Sequence, residues 1–292
     1  MSSSPIIELF KEETRRSKST FRQVYAVIWA NLKILLSYKY WVVTDFLSTA
    51  ASIVMYFFMG LQVDPAQLAA RGYGEDYAAF ALVGISTSQY LWICLSRLSH
   101  SIQHDIRGGT LETVAVTQIK MGAYFLGQTV RGYLISLFFL AGTLSVGLFV
   151  LRIPLQINLS TLTAAFVTFL LMILSNQAIG FITAGIVMVH KRGDPVTFML
   201  AGMNEFLSGV LYPLDLLKQF PPLYALARLF PYTYALDALR KTLTGGAGMF
   251  SPDVYYDLVV LVAFSVILLP IGLKVLKWGY DTIRRNGTMA TY

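Results

Sequence analysis

The sequence predicts an all-α polytopic membrane protein: six transmembrane helices, an N-terminal amphipathic helix before them, and short re-entrant helices before the last span. Three observations predict it. The 292 residues are 55% hydrophobic and only 13% charged, with a mean hydropathy of +0.59, whereas a soluble domain carries about 25% charged residues. Six apolar stretches approach or exceed the length needed to span, about 20 residues at 1.5 Å rise across a hydrocarbon core of about 30 Å. The basic residues are also unevenly shared, with 17 of the 23 Lys and Arg on one side of the layout.

Residues 1–40 form the first of three regions, a segment with seven Lys and Arg. Within residues 21–36, Phe21, Val24, Tyr25, Ile28, Leu32, Leu35 and Leu36 recur at helical spacing, with Arg22, Gln23, Ala26, Lys33 and Ser37 on the other side. A basic amphipathic helix beside a span lies in the headgroup plane. No cleavable apolar core with a small-residue site is visible, so the first span is expected to act as an uncleaved anchor.

The second region, residues 41–276, holds the spans, over 41–63, 77–98, 127–150, 161–189, 196–213 and 254–276. A short polar loop covers 64–76, a longer, partly helical one 99–126, and tight turns 151–160 and 190–195. Residues 214–253 read differently. Leu223–Phe230 and Pro231–Leu236 are apolar but too short to span, and Pro221, Pro222 and Pro231 break helical continuity. Non-helical backbone at membrane depth survives only where protein or water covers it, which points to a short helical hairpin dipping into the outer leaflet. Residues 277–292 are a tail.

Charge sets the orientation. Residues 1–40, 97–131, 190–195 and the stretch after Leu273 hold the 17 basic residues; Arg71, Arg152, Lys218, Arg228, Arg240 and Lys241 lie opposite. Basic residues concentrate on the cytoplasmic side, so both termini are expected in the cytoplasm of a cell-membrane protein. This distribution explains the net charge of +7 without nucleic acid.

Several chemistries have no support. The single cysteine, Cys94, lies in an apolar run and excludes an intrachain disulfide. No Gly-x-x-x-x-Gly-Lys-Ser/Thr loop or His-Glu-x-x-His pair occurs. His100 and His104, followed by Asp105, share a helix face at metal-ligand spacing but lack further ligands. No nucleophile and base stand at matching depth for an intramembrane hydrolase. The chain is therefore expected to hold no metal or cofactor. Asn158-Leu159-Ser160 and Asn286-Gly287-Thr288 match the glycosylation pattern, but the first hugs the membrane and the second falls on the cytoplasmic side.

Between the second and third spans runs Ile106-Arg107-Gly108-Gly109-Thr110-Leu111-Glu112-Thr113-Val114. Two glycines permit a sharp break. Thr110 is placed to cap a new helix, with Glu112 favourable near its positive end. This Arg-x-Gly-Thr-Leu-Glu pattern after the second span resembles the ABC type-2 export permeases. So do Phe206-Leu207-Ser208-Gly209-Val210-Leu211-Tyr212-Pro213 at the end of the fifth span and Phe230-Pro231-Tyr232-Thr233-Tyr234-Ala235-Leu236-Asp237-Ala238-Leu239-Arg240 before the sixth. The resemblance covers about residues 20–280, and the three motifs occur in order within the six-span layout.

The resemblance implies a dimer, of this chain or of it with a homologue, above two ABC ATPase subunits that bind ATP and Mg. Residues 100–119 would be the coupling helix. Arg107, Gly108, Gly109, Thr110, Leu111 and Glu112 would lie at the ATPase contact, with Lys191 and Arg192 in the turn His190–Pro195 as a second, smaller contact. Residues 21–36 would be the connecting helix. Residues 214–240 would close the exit, with Gly209, Pro213, Pro231, Tyr232 and Arg240 in that external gate. Gln118 stands where family members often have Pro.

Intramembrane polar groups are functional candidates by default. Glu205 in the fifth span, Gln89 in the second, and Asn176 and Gln177 in the fourth are candidates for a pathway or dimer interface. Asn176, Gln177, Ser86, Thr87, Ser88 and Gln89 serve equally as helix–helix contacts. Asp45 lies near water at the cytoplasmic end of the first span, and Arg131 reaches toward phosphate. The expected function is the permease subunit of an ATP-driven exporter of an amphipathic or lipophilic, drug-like or lipid-like substrate. The alternatives are export of a lipid-linked glycan or small ion, an ATPase-independent channel or scaffold, and an intramembrane enzyme.

Overall fold

The computed structural model describes residues 20–37, 65–116, 119–190 and 194–286, with isolated positions between 40 and 58. The described residues hold no β-strand. In chain order the helices are α1 (Thr20–Ser37), α2 (Pro65–Ala69), α3 (Tyr77–Arg107), α4 (Thr110–Val116), α5 (Met121–Ser145), α6 (Leu159–His190), α7 (Asp194–Leu207), α8 (Pro221–Ala227), α9 (Pro231–Leu243) and α10 (Pro252–Arg285). A π-helical turn, Val146–Val150, prolongs α5, and a 3₁₀ turn, Leu214–Gln219, precedes α8.

Among the described residues, four helices are long and apolar enough to cross a membrane: α3, α5 with its extension, α6 and α10. They match the second, third, fourth and sixth predicted spans but run past them. α3 continues to Arg107 rather than stopping near 98, and α10 continues to Arg285 rather than 276. Hydropathy marks where hydrocarbon ends, and a helix keeps its backbone bonds on entering water. The first predicted span, 41–63, and Asp45 with it, lies almost wholly outside the described residues.

The fifth predicted span is corrected. A helix was expected over 196–213, but α7 stops at Leu207 after 14 residues, about 21 Å at 1.5 Å per residue. That falls short of a crossing of about 30 Å. Gly209 takes φ +69°, the left-handed conformation that commonly ends a helix. The next four residues, Val210 to Pro213, stay non-helical.

α6 is the central element. α10 packs along one side of it through small residues: a Cβ on Gly272 would strike the Ala178 carbonyl, and one on Gly279 the Gly185 carbonyl. Small residues let helix backbones approach where lipid gives no hydrophobic drive to associate. α3 packs on another side, where Gly180 meets the Cys94 carbonyl. α9 docks against α3, α6 and α10, with Tyr232, Ala235 and Leu236 buried among Tyr90, Met172 and Leu261.

α1 packs on α5, where Val24 and Val27 approach Gly127 and Gln23 Oε1 accepts from the Lys120 amide at 3.2 Å. The predicted apolar face is only partly covered by protein. Tyr25 is 58% exposed and stacks on exposed Trp29 at 6.3 Å, while Gln23, placed on the polar side, meets the protein. Because α3 runs the length of the bundle, α4 and α9 occupy its opposite ends.

Candidate functional site

At the α4 end, Asp105 in the last turn of α3 organises the break. Its Oδ1 accepts from Thr110 Oγ1 at 2.9 Å and its Oδ2 from the Tyr124 hydroxyl. Gly109, at φ +65°, turns the chain into α4. Leu111 is buried with Ile106, Ile102, Tyr124, Met188 and Ile283, so the inner face of α4 is fixed to the ends of α3, α5, α6 and α10. Arg107, Gly108, Thr110, Glu112, Thr113 and Val116 are exposed, Val116 at 76%.

Two expectations here change. Residues 100–119 are not one helix, since 100–107 belong to α3 and only Thr110–Val116 forms α4. Thr110 opens α4, but its hydroxyl turns back to Asp105 instead of capping forward amides, because that carboxylate sits within one turn of the break. Lys191 and Arg192 lie outside the described residues.

Midway along the bundle, the predicted polar groups separate into three settings. Glu205 on α7 is half-buried, and its Oε2 accepts from the Trp92 indole of α3 at 2.7 Å. Asn176 is fully buried in a relay joining four elements. Asn204 Nδ2 donates to Asn176 Oδ1 at 3.4 Å, and the Ser208 hydroxyl, with one proton to give, stands 3.2 Å from Asn204 Oδ1 and 3.0 Å from Thr233 Oγ1. Thr233 then donates to the Ala227 carbonyl at 2.7 Å. Gln177 accepts from the Tyr133 hydroxyl of α5. Gln89 is half-buried on α3.

At the α9 end, the structure brings the predicted gate residues together around Arg240, which is 3% exposed. Its guanidinium lies 3.4 Å from the centroid of the Phe80 ring. It donates to the carbonyls of Phe80 at 3.3 Å, of Gly209 at 2.7 Å, and of Val210. The Gly209 and Val210 carbonyls belong to the non-helical stretch after α7, and the buried cation supplies them with donors. Tyr232 bonds Thr87 at 3.0 Å. Pro231 opens α9, and Pro213, also buried, precedes the 3₁₀ turn.

Other residues of this end escape sequence reasoning. Gly84 lets α3 approach, since a Cβ would strike both the Val210 carbonyl and Arg240. Tyr73 donates to Asp237 at 2.5 Å, Lys241 donates to Asp237 at 2.7 Å, and Lys241 stands 3.5 Å from Asp257 on α10. Burial, then the Asp237 charge, pushes the Tyr73 hydroxyl well above its ordinary pKa, so it remains a donor. The signal for Asp257 was available: an acid near the start of an apolar helix.

A family model described as ABC-2 type transporter matches residues 22–244, taking in α4 and all of α9. No curated protein matches the chain.

Proposed function

The chain belongs to the ABC-2 type transporter family, and from that premise we propose that it is the permease subunit of an ATP-driven exporter. Two copies, or this chain with a homologue, sit in the cell membrane above two ABC ATPase subunits, which bind ATP and Mg. Both termini and α4 face the cytoplasm; α8 and α9 face outward. The cargo is amphipathic or lipophilic, drug-like or lipid-like.

The observation that carries this reading is the two-sided character of α4. Its inner face is buried against the ends of four long helices, while Glu112, Thr113 and Val116 are open to a partner. A displacement applied to the open face reaches all four helices at once. Lys191 and Arg192 add a second contact in the next turn on that side. The helices tilt, and the Arg240 cluster that fixes α7, α3 and α9 together yields to open an exit. Glu205 and Gln89, less enclosed than Asn176 and Gln177, stand on the path or the subunit interface.

The test is a gentle-detergent isolation of the tagged chain from its native membrane, with mass spectrometry and an ATPase assay. A stoichiometric partner carrying a nucleotide-binding loop, with vanadate-sensitive turnover, is expected. Glu112→Arg is expected to abolish transport while the chain still inserts and dimerises; normal transport by that variant rejects the coupling role of α4.

A further inference from the structure

Arg97 on α3 and Arg131 on α5 stand side by side where these two helices meet. Gly132, next to Arg131, gives Arg97 its seat: a Cβ there would lie 2.9 Å from Arg97 Cγ and 3.0 Å from the Ile93 side chain. The two guanidiniums are close enough to repel each other, and both residues are half-buried. Arg97 falls one residue before the end of the second predicted span, and Arg131 four residues after the start of the third. Both therefore lie within about 6 Å of the hydrocarbon edge on the α4 side.

Arg97 lacks what its chemistry asks for. Its Nε is enclosed and meets no acceptor. Among the described residues no hydrogen bond or ion pair reaches its terminal nitrogens, and no carboxylate acts on it. Asp105, about two turns further along α3, already accepts from Thr110 and Tyr124. Arg240 at the other end of the bundle, by contrast, has three carbonyls. Only the Nε of Arg97 is closed off, so its terminal nitrogens stay open to a ligand. A charge partly withdrawn from water, with a like charge beside it, is costly until an anion joins it. A guanidinium fork matches the oxygens of a phosphate.

We infer that Arg97, with Arg131 beside it, holds one phosphate group of net negative charge at the crevice between α3 and α5. The terminal nitrogens of Arg97 donate to the phosphate oxygens, and Arg131 adds the second positive charge. The depth is that of lipid phosphates, which long basic side chains reach along their apolar stems. The lack of a carboxylate sets the selectivity. A zwitterionic headgroup such as that of phosphatidylcholine brings a cation that has no acid to meet and two arginines to repel it. An anionic headgroup such as that of phosphatidylglycerol brings none. The phosphate comes either from an anionic lipid of the leaflet on the α4 side or from free phosphate in the water. The site lies on the α5 side of α3, whereas Glu205 meets Trp92 from α7. The inference rests on α3 and α5 as spans and does not require the coupling role of α4.

The test uses the full chain in nanodiscs of phosphatidylglycerol and phosphatidylcholine with the same acyl chains, and retained lipid is read by native mass spectrometry. Wild type is expected to retain phosphatidylglycerol about tenfold over phosphatidylcholine, the ratio that one charge-assisted hydrogen bond sets. Arg97→Gln should erase that preference, and Arg97→Lys, which keeps the charge and loses the fork, should keep only part of it. Lys277→Gln, at an exposed basic residue of α10, should leave it unchanged. Equal retention of the two lipids by wild type overturns the inference. So does an equal loss in Arg97→Gln and Lys277→Gln, which marks general attraction to a basic surface. Displacement of the retained lipid by inorganic phosphate assigns the site to the free anion; resistance to it assigns the site to the lipid. If Arg97→Gln does not fold, Arg97→Lys carries the test, and an unchanged ratio there overturns the inference. ATPase stimulation of the partner is scored separately, so loss of lipid preference and loss of coupling are told apart.

Discussion

α4 and α9 are both short helices laid against the ends of the long ones, yet opposite forces hold them. α4 is held mostly by apolar burial, through Leu111 among Ile106, Tyr124 and Ile283, with one carboxylate, Asp105, at its start. α9 is held by directional bonds to a buried cation as well as by packing. Arg240 reaches three carbonyls, Tyr232 reaches Thr87, and Thr233 continues the Asn176 relay. Apolar contact is non-directional and tolerates sliding. A buried guanidinium on carbonyls does not, because a shift of an ångström leaves charge without partners. The first end therefore passes displacement on smoothly, and the second resists until its bonds exchange together. Under the proposed coupling, a structure with these two ends would convert a graded push into a switch.

Four substitutions probe that contrast. Arg240→Leu should cost about 3–5 kcal/mol, because the Phe80, Gly209 and Val210 carbonyls lose their donor at depth. Thermal unfolding in detergent should then fall by about 10 °C, and a fall of a degree or two would dissolve the distinction between the ends. Leu111→Ala should cost about 3 kcal/mol through the cavity left under α4, read by denaturant unfolding. It should also lower ATPase-linked transport, since the inner anchor is loosened while the outer face is intact. Gly84→Ala should cost about 2 kcal/mol by forcing α3 from the Val210 carbonyl. Its damage should localise to the α9 end in hydrogen exchange, and protection lost equally at α4 would argue against independent ends. Glu112→Arg should change stability by less than about 0.5 kcal/mol, so that its effect on transport, measured in vesicles, separates function from folding.

How legible all this was depends on the kind of signal. α3, α5, α6 and α10 were readable because a span is a bulk property of many residues. The stop of α7 was not, because Val210, Leu211 and Tyr212 remain apolar after the helix ends and only the conformation of Gly209 marks the change. On α1 the helical period was legible, but which residues meet α5 was not: Val27 meets Gly127, while Tyr25 stays exposed with Trp29. Arg240 was singled out, but its partners were invisible, since a backbone carbonyl such as that of Phe80 belongs to every residue alike. Asp257 was passed over because an acid near the start of a span reads as a group that reaches water; only the fold places it 3% exposed beside Lys241.

The backbone-to-backbone crossing of α6 and α10 bears on how the molecule is made. α10 follows α6 in the chain, so α6 is synthesised well before it. Until α10 emerges, Ala178 and Gly185 on α6 face lipid with nothing small enough to fill them, and Lys241 lacks Asp257. Pairing of these two helices therefore waits on the synthesis of α10. Quality control in the membrane would meet, in every nascent copy, an interval in which α6 is inserted but unmated and open to degradation.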